Sequence, residues 1–321
     1  MPSFRQIVGA VVTGLAMVAA APAGPRISAR SLKMYNAYER RQNPATGLPD
    51  GLTDIDVLQF ALTLENLETA FYQQGFAMFP DSDFAALGLA PEDITNLKSI
   101  GGTEATHVTT LTSAVAGAGI QPVLPCKYKF GFTDATAMVA TAGILENVGV
   151  SAYLGAAPIV KSAAILGTAA SIVTVEARHQ TFIRVASKAV AIPSAFDTPL
   201  GIRNVFTLAA GFIESCPEGS NLAITPFPAL TMTTPAAAGA AAPAAGSTIK
   251  VTSTATGATQ CAFSNGGIPG GTAFAPFTDG GCEVPQNLAG FTYVNLASDA
   301  PGDGVLTDAI TLAGPMVMIV S

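Results

Sequence analysis

The chain of 321 residues is long enough for one large domain or two smaller ones. Hydrophobic residues make up 49% of it and charged residues only 12%, which excludes a disordered, solvated chain because such chains are poor in apolar residues and rich in charge. The net charge of −7 and the scattered positions of the basic residues exclude a basic surface for nucleic acid.

The N-terminal residues have the pattern of a secretory signal peptide, which we place at residues 1–21. Arg5 supplies a positive charge, and the apolar run IVGAVVTGLAMVAAA follows and ends in small residues, as signal peptidase requires. An uncleaved membrane anchor is the alternative, but about fifteen apolar residues are short for a membrane span. We therefore expect a secreted, extracellular protein without stable membrane insertion.

A polar segment at residues 22–51 precedes the first predicted helix and contains the pair Arg40-Arg41. The pair is either a processing site in a pro-segment or part of a solvated linker. Residues 52–221 then show helical spacing of apolar residues, interrupted by Pro, Gly and N-capping residues. The predicted helices run from Thr53 or Asp54 to Phe79, from Pro91 to about Gly117, from near Thr133 to before Pro158, from about Gly167 to Val190, and from Asp197 to Cys216.

The composition changes after the last predicted helix. Residues 222–247 are rich in Pro, Ala and Thr, which predicts a linker. Residues 248–321 contain short alternating runs such as TIKVTST, FTYVNLA and PMVMIVS, separated by turn-forming residues. This pattern predicts a small β-sandwich-like module, and we find no chemical motif in it.

The chain contains four cysteines, an even number that suggests two disulfides in a protein that follows an oxidising secretory route. The sequence leaves three pairings open. We favour Cys126–Cys216 and Cys261–Cys282, because the change in composition separates these two pairs.

Each of the four long predicted helices places a carboxylate on its apolar stripe. The first helix carries Glu65 in a stripe with Leu62 and Tyr72, at steps of three or four residues that share a helix face. In the second and fourth helices a histidine follows the glutamate one turn later. The predicted ligands are Glu65, Glu104, His107, Glu146, Glu176 and His179.

Four carboxylates on buried stripes need a compensating charge. An unpaired carboxylate in an apolar interior costs several kcal/mol, and four together repel one another. The two histidines are the only ones in the chain, and each follows a glutamate by three residues. Oxygen and imidazole ligands suit iron or manganese, so we predict two divalent ions, Fe or Mn. A helical protein without metal is the alternative, and it requires stripes that are not buried.

Three further residues lie on or near these stripes. Glu68 competes with Glu65 for the ligand position, and we interpret it as a neighbour at the edge of the site. Tyr72 and Tyr153 each follow a predicted ligand by seven residues. They are either amphipathic core residues or catalytic neighbours of the metals that hydrogen-bond the ligand carboxylates, since a buried tyrosine hydroxyl needs a partner in either case.

One Glu on each of two helices, with Glu-x-x-His on each of two others, resembles the dinuclear carboxylate pattern of the ferritin-like superfamily. Leu58–Cys216 looks most like its secreted branch, which includes fungal starvation- and stress-induced proteins and plant desiccation-related proteins. The residues that carry the resemblance are FALTLENLETAFY, GGTEATH, CKYKF, ILENVGVSAYLGA, VEARHQTFIR and ESCP. The resemblance covers about half of the chain. It implies an all-α, antiparallel four-helix bundle with a fifth helix, to which the β module is an addition.

The predicted function follows from this pattern. Glu104 and Glu176 would bridge the two ions, Glu65 and His107 would complete one site, and Glu146 and His179 the other. The protein would then be a di-iron or di-manganese oxidoreductase that handles O₂, H₂O₂ or iron in a ferroxidase- or catalase-like reaction. The alternative is a non-catalytic metal-binding or structural protein of the stress response. Cell-wall association and a homo-oligomer are the partners that we consider, besides the metal ions.

Overall fold

The computed structural model describes residues 52–220, 222, 224–234 and 243–320. The predicted signal peptide and the segment with Arg40-Arg41 lie outside these residues, as does part of the predicted linker at residues 222–247.

The N-terminal part of the described chain is helical. Side chains at the predicted caps fix several helix starts: Thr53 and Asp56 bond each other's backbone N–H at the first helix, and Asp134 accepts a bond from Ala137 N at the fourth. The helices are α1 (Asp54–Met78), α2 (Asp81–Ala86), α3 (Pro91–Gly117), α4 (Ala135–Ala156), α5 (Ala163–Ala186) and α6 (Ile202–Ala210).

Two helices differ from the predicted bounds, and α2 was not predicted. Helix α5 begins and ends about four residues earlier than expected, because Ser162 caps it at residue 163. Helix α6 is much shorter than the predicted segment to Cys216, because strand β2 (Ile213–Ser215) replaces its end and pairs with β1 (Lys127–Tyr128). The disulfide Cys126–Cys216 adjoins this pair.

The four long helices surround one interior. Helix α1 packs along α3 and α4 along α5, while further contacts join α1 to α4 and α3 to α5. Every long helix therefore touches two of the other three. Side chains on their inward faces meet, and this arrangement positions the site described below.

The C-terminal part contains two antiparallel sheets, with strand orders β3-β4-β7 and β6-β5-β8-β9. The disulfide Cys261–Cys282 connects β5 to β7, so it joins the two sheets in the pairing that we favoured. Strand β3 lies inside the predicted linker, where it pairs with β4 next to the buried Leu230. The strands are β3 (Thr231–Thr234), β4 (Thr248–Thr252), β5 (Gln260–Ser264), β6 (Thr272–Pro276), β7 (Gly281–Glu283), β8 (Gly290–Ala297) and β9 (Thr311–Val320).

The larger sheet packs on helix α4 through a group of buried polar side chains that we call the helix–sheet junction: Asn147, Ser151, Gln180 and Tyr293. Asn147 Nδ2 donates to the Tyr293 hydroxyl at 2.6 Å. Ser151 Oγ lies 2.8 Å from the same hydroxyl, and Gln180 Nε2 donates to Asn147 Oδ1 at 3.2 Å. Tyr293 belongs to the helical core although it lies on β8.

Among the described residues, Ala135–Ile159 is a helical segment whose length and hydropathy would also suit a membrane span, but 72% of its apolar 18-residue window is buried inside the protein. Helix α4 has this composition because it packs against other helices on one side and against the β-sheet on the other.

Candidate metal centre

The six predicted ligands come together in the interior of the four long helices. Helix α1 supplies Glu65, α4 supplies Glu146, and the Glu-x-x-His pairs come from α3 and α5. All six side chains are buried, and three of the glutamates are 0% exposed. The i, i+3 spacing places each histidine on the same helix face as its glutamate, one turn away.

The ligand atoms form two groups that share two glutamates. In each group the four donor atoms lie within 4.8 Å of one another. The first group is Glu65, Glu104, His107 and Glu176, and the second is Glu104, Glu146, Glu176 and His179. Each group thus has one glutamate and one histidine of its own, and Glu104 and Glu176 belong to both.

Both imidazoles turn Nδ1 toward the carboxylates. His107 Nδ1 lies 3.0 Å from Glu104, 3.1 Å from Glu176 and 3.2 Å from Glu65. His179 Nδ1 lies 2.8 Å from Glu104 and 3.2 Å from Glu146. A ring nitrogen carries at most one hydrogen, so each imidazole can donate to one of these oxygens at a time. The carboxylate oxygens therefore outnumber the imidazole donors.

The pKa values of the protein without metal reflect this crowding. Burial raises the pKa of Glu65 to about 7, and burial with the charge of Glu65 raises the pKa of Glu176 well above its usual value. Burial also acts on Glu104, but the hydrogen bond from His107 and the nearby charges of both histidines outweigh it and lower its pKa to about 2. The surrounding carboxylates outweigh burial at His107 and raise its pKa to about 12.

Several buried oxygens of the centre have no hydrogen-bond partner within the described part of the chain: both oxygens of Glu176 and Oε1 of Glu104. Glu104 Oε1 is close to His179, but the two are not aligned for a hydrogen bond. Ion pairs to these carboxylates within that part come from the two histidines alone. Oxygen-rich, imidazole-containing donors that lack protein partners fit a divalent cation.

Tyr72 and Tyr153 both reach ligand carboxylates, one from each side. The Tyr72 hydroxyl donates to Glu146, and the Tyr153 hydroxyl donates to Glu65 at 2.5 Å. Each tyrosine follows one ligand glutamate by seven residues and bonds to the glutamate that precedes the other tyrosine. The two hydroxyls hold the two glutamates that are not shared between the groups.

Glu68 lies closer to the centre than its interpretation as an edge residue implied. It is 4% exposed, and burial and the charge of Glu176 raise its pKa well above the usual value. Glu68 Oε1 and Glu176 Oε2 each lie 3.1 Å from the point where a Cβ on Gly149 would stand. Glycine at 149 therefore leaves room between two helices for both carboxylates. The signal in the sequence was the three-residue step from Glu65, which puts both on one helix face.

The comparisons with known proteins agree with this geometry. Residues 53–189 match the family of the ferritin-like domain. The chain is also 26% identical over 183 residues to the Schizosaccharomyces pombe protein named Protein rds1. That match covers 57% of this chain and 45% of the relative, so the chain spans less than half of that protein. The resemblance to the ferritin-like superfamily and its fungal branch is confirmed, and buried Glu and His groups in such a domain fit a metal-binding protein.

Proposed function

We propose that this chain, whose residues 53–189 match the family of the ferritin-like domain, binds two divalent metal ions in the interior of an antiparallel four-helix bundle. Glu104 and Glu176, which belong to both groups of potential ligands, would help to hold both ions. The remaining ligands divide into Glu65 with His107 and Glu146 with His179.

The observation that carries the proposal is the pair of unpartnered oxygens on Glu176. This side chain is 0% exposed, and neither oxygen has a well-aligned hydrogen-bond partner among the residues described, although His107 Nδ1 lies 3.1 Å from one of them. A buried carboxylate without a partner costs several kcal/mol. Because Glu176 belongs to both groups of potential ligands, a cation on either side of it would remove that cost.

We further propose that the ions are iron or manganese and that the protein handles O₂, H₂O₂ or iron in a ferroxidase- or catalase-like reaction. The donor set is carboxylate and imidazole, without thiolate, which suits these metals. Bound iron or manganese would supply one-electron redox chemistry at this position. Tyr72 and Tyr153 orient Glu146 and Glu65 through their hydrogen bonds, and the apolar core around them keeps bulk water away.

We also propose that the protein is secreted and acts in a stress response. Two disulfides are compatible with an extracellular protein, and the stress association rests on the resemblance of the sequence motifs. The division of the chain that goes with this proposal is a signal peptide at 1–21, a linker or pro-segment at 22–51, the bundle at 52–221, a linker segment at 222–247 and the β module at 248–321.

The second candidate function is non-catalytic metal binding, for sequestration or for stability. The burial of the centre favours it, since His107 and His179 are only 7% and 8% exposed. A centre enclosed to this degree would hold bound ions in place. It would equally shield a reaction from solvent. The two candidates share the ligands and differ in turnover.

Metal content tests the centre and turnover separates the candidates. We expect two ions per chain by elemental analysis of protein loaded with ferrous or manganous salt. We expect Glu176→Gln to lose at least one of them, while Glu92→Gln, an exposed glutamate of α3, keeps both. Wild-type protein with less than one ion per chain would contradict the proposal. Oxygen or peroxide consumption by the loaded wild type, lost in Glu176→Gln, favours the redox function over sequestration.

A further inference from the structure

The two tyrosines of the centre have equivalent hydrogen bonds but different surroundings. Tyr72 is packed in aromatic rings: it stands edge-on to Phe71 at 5.1 Å and stacks on Phe76 at 5.8 Å between ring centroids. Gly101 adds to this packing, because a Cβ there would lie 2.8 Å from the Cβ of Tyr72. The interior on the Tyr72 side is therefore filled by the protein's own side chains.

On the Tyr153 side the helices leave a cavity of about 180 Å³, which is partly open to solvent because lining residues such as Thr110 and Thr168 are exposed. All four long helices and the connection between α4 and α5 contribute to its walls. The lining side chains are aliphatic except for Phe60, Tyr153 and two threonines, and none of these described residues is charged. Small residues such as Ala61, Ala152 and Ala169 lie in this wall. On the Tyr72 side, aromatic rings occupy the corresponding space.

We propose that this cavity binds a small, neutral, apolar molecule of about six to eight carbon atoms. An apolar protein cavity of about 150 Å³ stays dry and binds benzene, and apolar contact supplies about 25 cal/mol for each Å² removed from water. A charged ligand would lose its hydration without gaining a partner, because the lining offers no opposite charge. The size and lining together select a hydrocarbon ring or a short hydrocarbon chain.

Tyr153 connects this cavity to the candidate metal centre. Its ring lines the cavity, and its hydroxyl donates to Glu65. A molecule in the cavity therefore contacts the residue that positions a proposed ligand. Because of this location, we assign a small apolar molecule as the substrate class of the centre. This assignment rests on the proposed function. The binding itself depends only on the shape and lining of the cavity.

Titration of the full-length protein with toluene tests the inference, with calorimetry to give the dissociation constant. Ala169 lines the cavity, whereas its neighbour Ala170 is exposed and does not. We expect Ala169→Leu to weaken toluene binding at least tenfold and Ala170→Leu to leave it unchanged. Ala152→Leu, in the part of the wall that α4 contributes, should weaken it to a similar degree, and the thermal unfolding midpoint shows whether each variant is folded. Benzoate, a charged ring of similar size, should not bind.

The outcomes distinguish the cavity from the metal centre. Absence of saturable toluene binding to the wild type, or equal binding by Ala169→Leu and Ala170→Leu, overturns the inference. Toluene binding to protein that takes up no metal would support the cavity and contradict the proposed function. Metal uptake without toluene binding would support the proposed function and contradict the inference about the cavity. If the cavity serves the centre, toluene should shift the spectrum of the metal-loaded wild type, and this shift should be smaller in Tyr153→Phe.

Discussion

The metal centre and the helix–sheet junction both bury polar side chains, but they satisfy them differently. At the junction the Tyr293 hydroxyl has Asn147 and Ser151 within hydrogen-bond distance, and Gln180 donates to Asn147. At the centre both oxygens of Glu176 lack a partner among the described residues. Buried polar groups in folded proteins are nearly always paired. The junction is therefore complete with the chain's own groups, whereas the centre needs a cation from outside.

The two clusters meet on one helix. Glu146 and Asn147 are neighbours on α4, and consecutive helical residues point about 100° apart. Glu146 consequently faces the ligands of α5, while Asn147 faces β8. A helix buried on both sides needs apolar residues around most of its circumference, which explains why α4 has so few charges. Because the same helix carries both clusters, substitutions in each can be compared in one structural context.

The largest expected difference between the clusters lies in the effect of metal on stability. At a free metal concentration of 100 times the dissociation constant, each independent site adds about 2.7 kcal/mol to the free energy of unfolding. Glu176→Gln should remove much of this gain. In the metal-free protein the same substitution should change the free energy of unfolding much less, because the raised pKa of Glu176 keeps this carboxyl protonated near neutral pH, so a neutral carboxamide replaces a neutral carboxyl. Urea unfolding with and without manganous salt measures both effects.

The dependence on metal is the informative result. Glu92→Gln is the matched control, since Glu92 is an exposed glutamate, and it should leave both free energies unchanged. If Glu176→Gln lowers the free energy of unfolding equally with and without metal, then the protein's own groups satisfy the carboxylate and the contrast with the junction fails.

Tyr293→Phe should destabilise the protein by about 1–3 kcal/mol, because it leaves Asn147 and Ser151 buried with fewer partners. The loss should be the same with and without metal, since the junction is satisfied by protein groups alone. Urea unfolding of this variant in both conditions provides the measurement. A loss that depends on metal would show that the two clusters are energetically coupled through α4.

The sequence predicts the centre better than the junction for a physical reason. Helical spacing alone places Glu65 and its counterparts on inward faces, because the 3.6-residue period links position in the chain to direction in space. Tyr293 lies in a strand whose eight residues are all buried, so alternation could not identify the face that meets α4. The short α6 likewise depends on the distant pairing of β2 with β1, which local patterns do not contain. Local sequence patterns therefore do not predict these contacts between remote segments.

Taken per unit of pH, the smallest predicted effect is a difference in pH dependence. In the metal-free protein the pKa of Glu65 is raised to about 7, so stability falls as pH rises from about 4.5 through 7. The pKa of His179 is raised to about 9, so its contribution is complete below about 6.5 and is lost as pH rises through 9. Glu104, with a pKa lowered to about 2, changes stability only below about 4.5. Metal-free stability should therefore fall between pH 5 and pH 9.

Metal should reverse this slope, because cations compete with protons for the same oxygens and nitrogens and bind more tightly as pH rises. One proton of difference corresponds to about 1.4 kcal/mol per pH unit. Burial raises the pKa of Tyr293 above its already high value, so Tyr293→Phe should lower stability at every pH from 5 to 8 without changing either slope. Urea midpoints at unit steps of pH give these slopes. Parallel slopes with and without metal would mean that the cation binds elsewhere than at the titrating carboxylates and imidazoles of the centre.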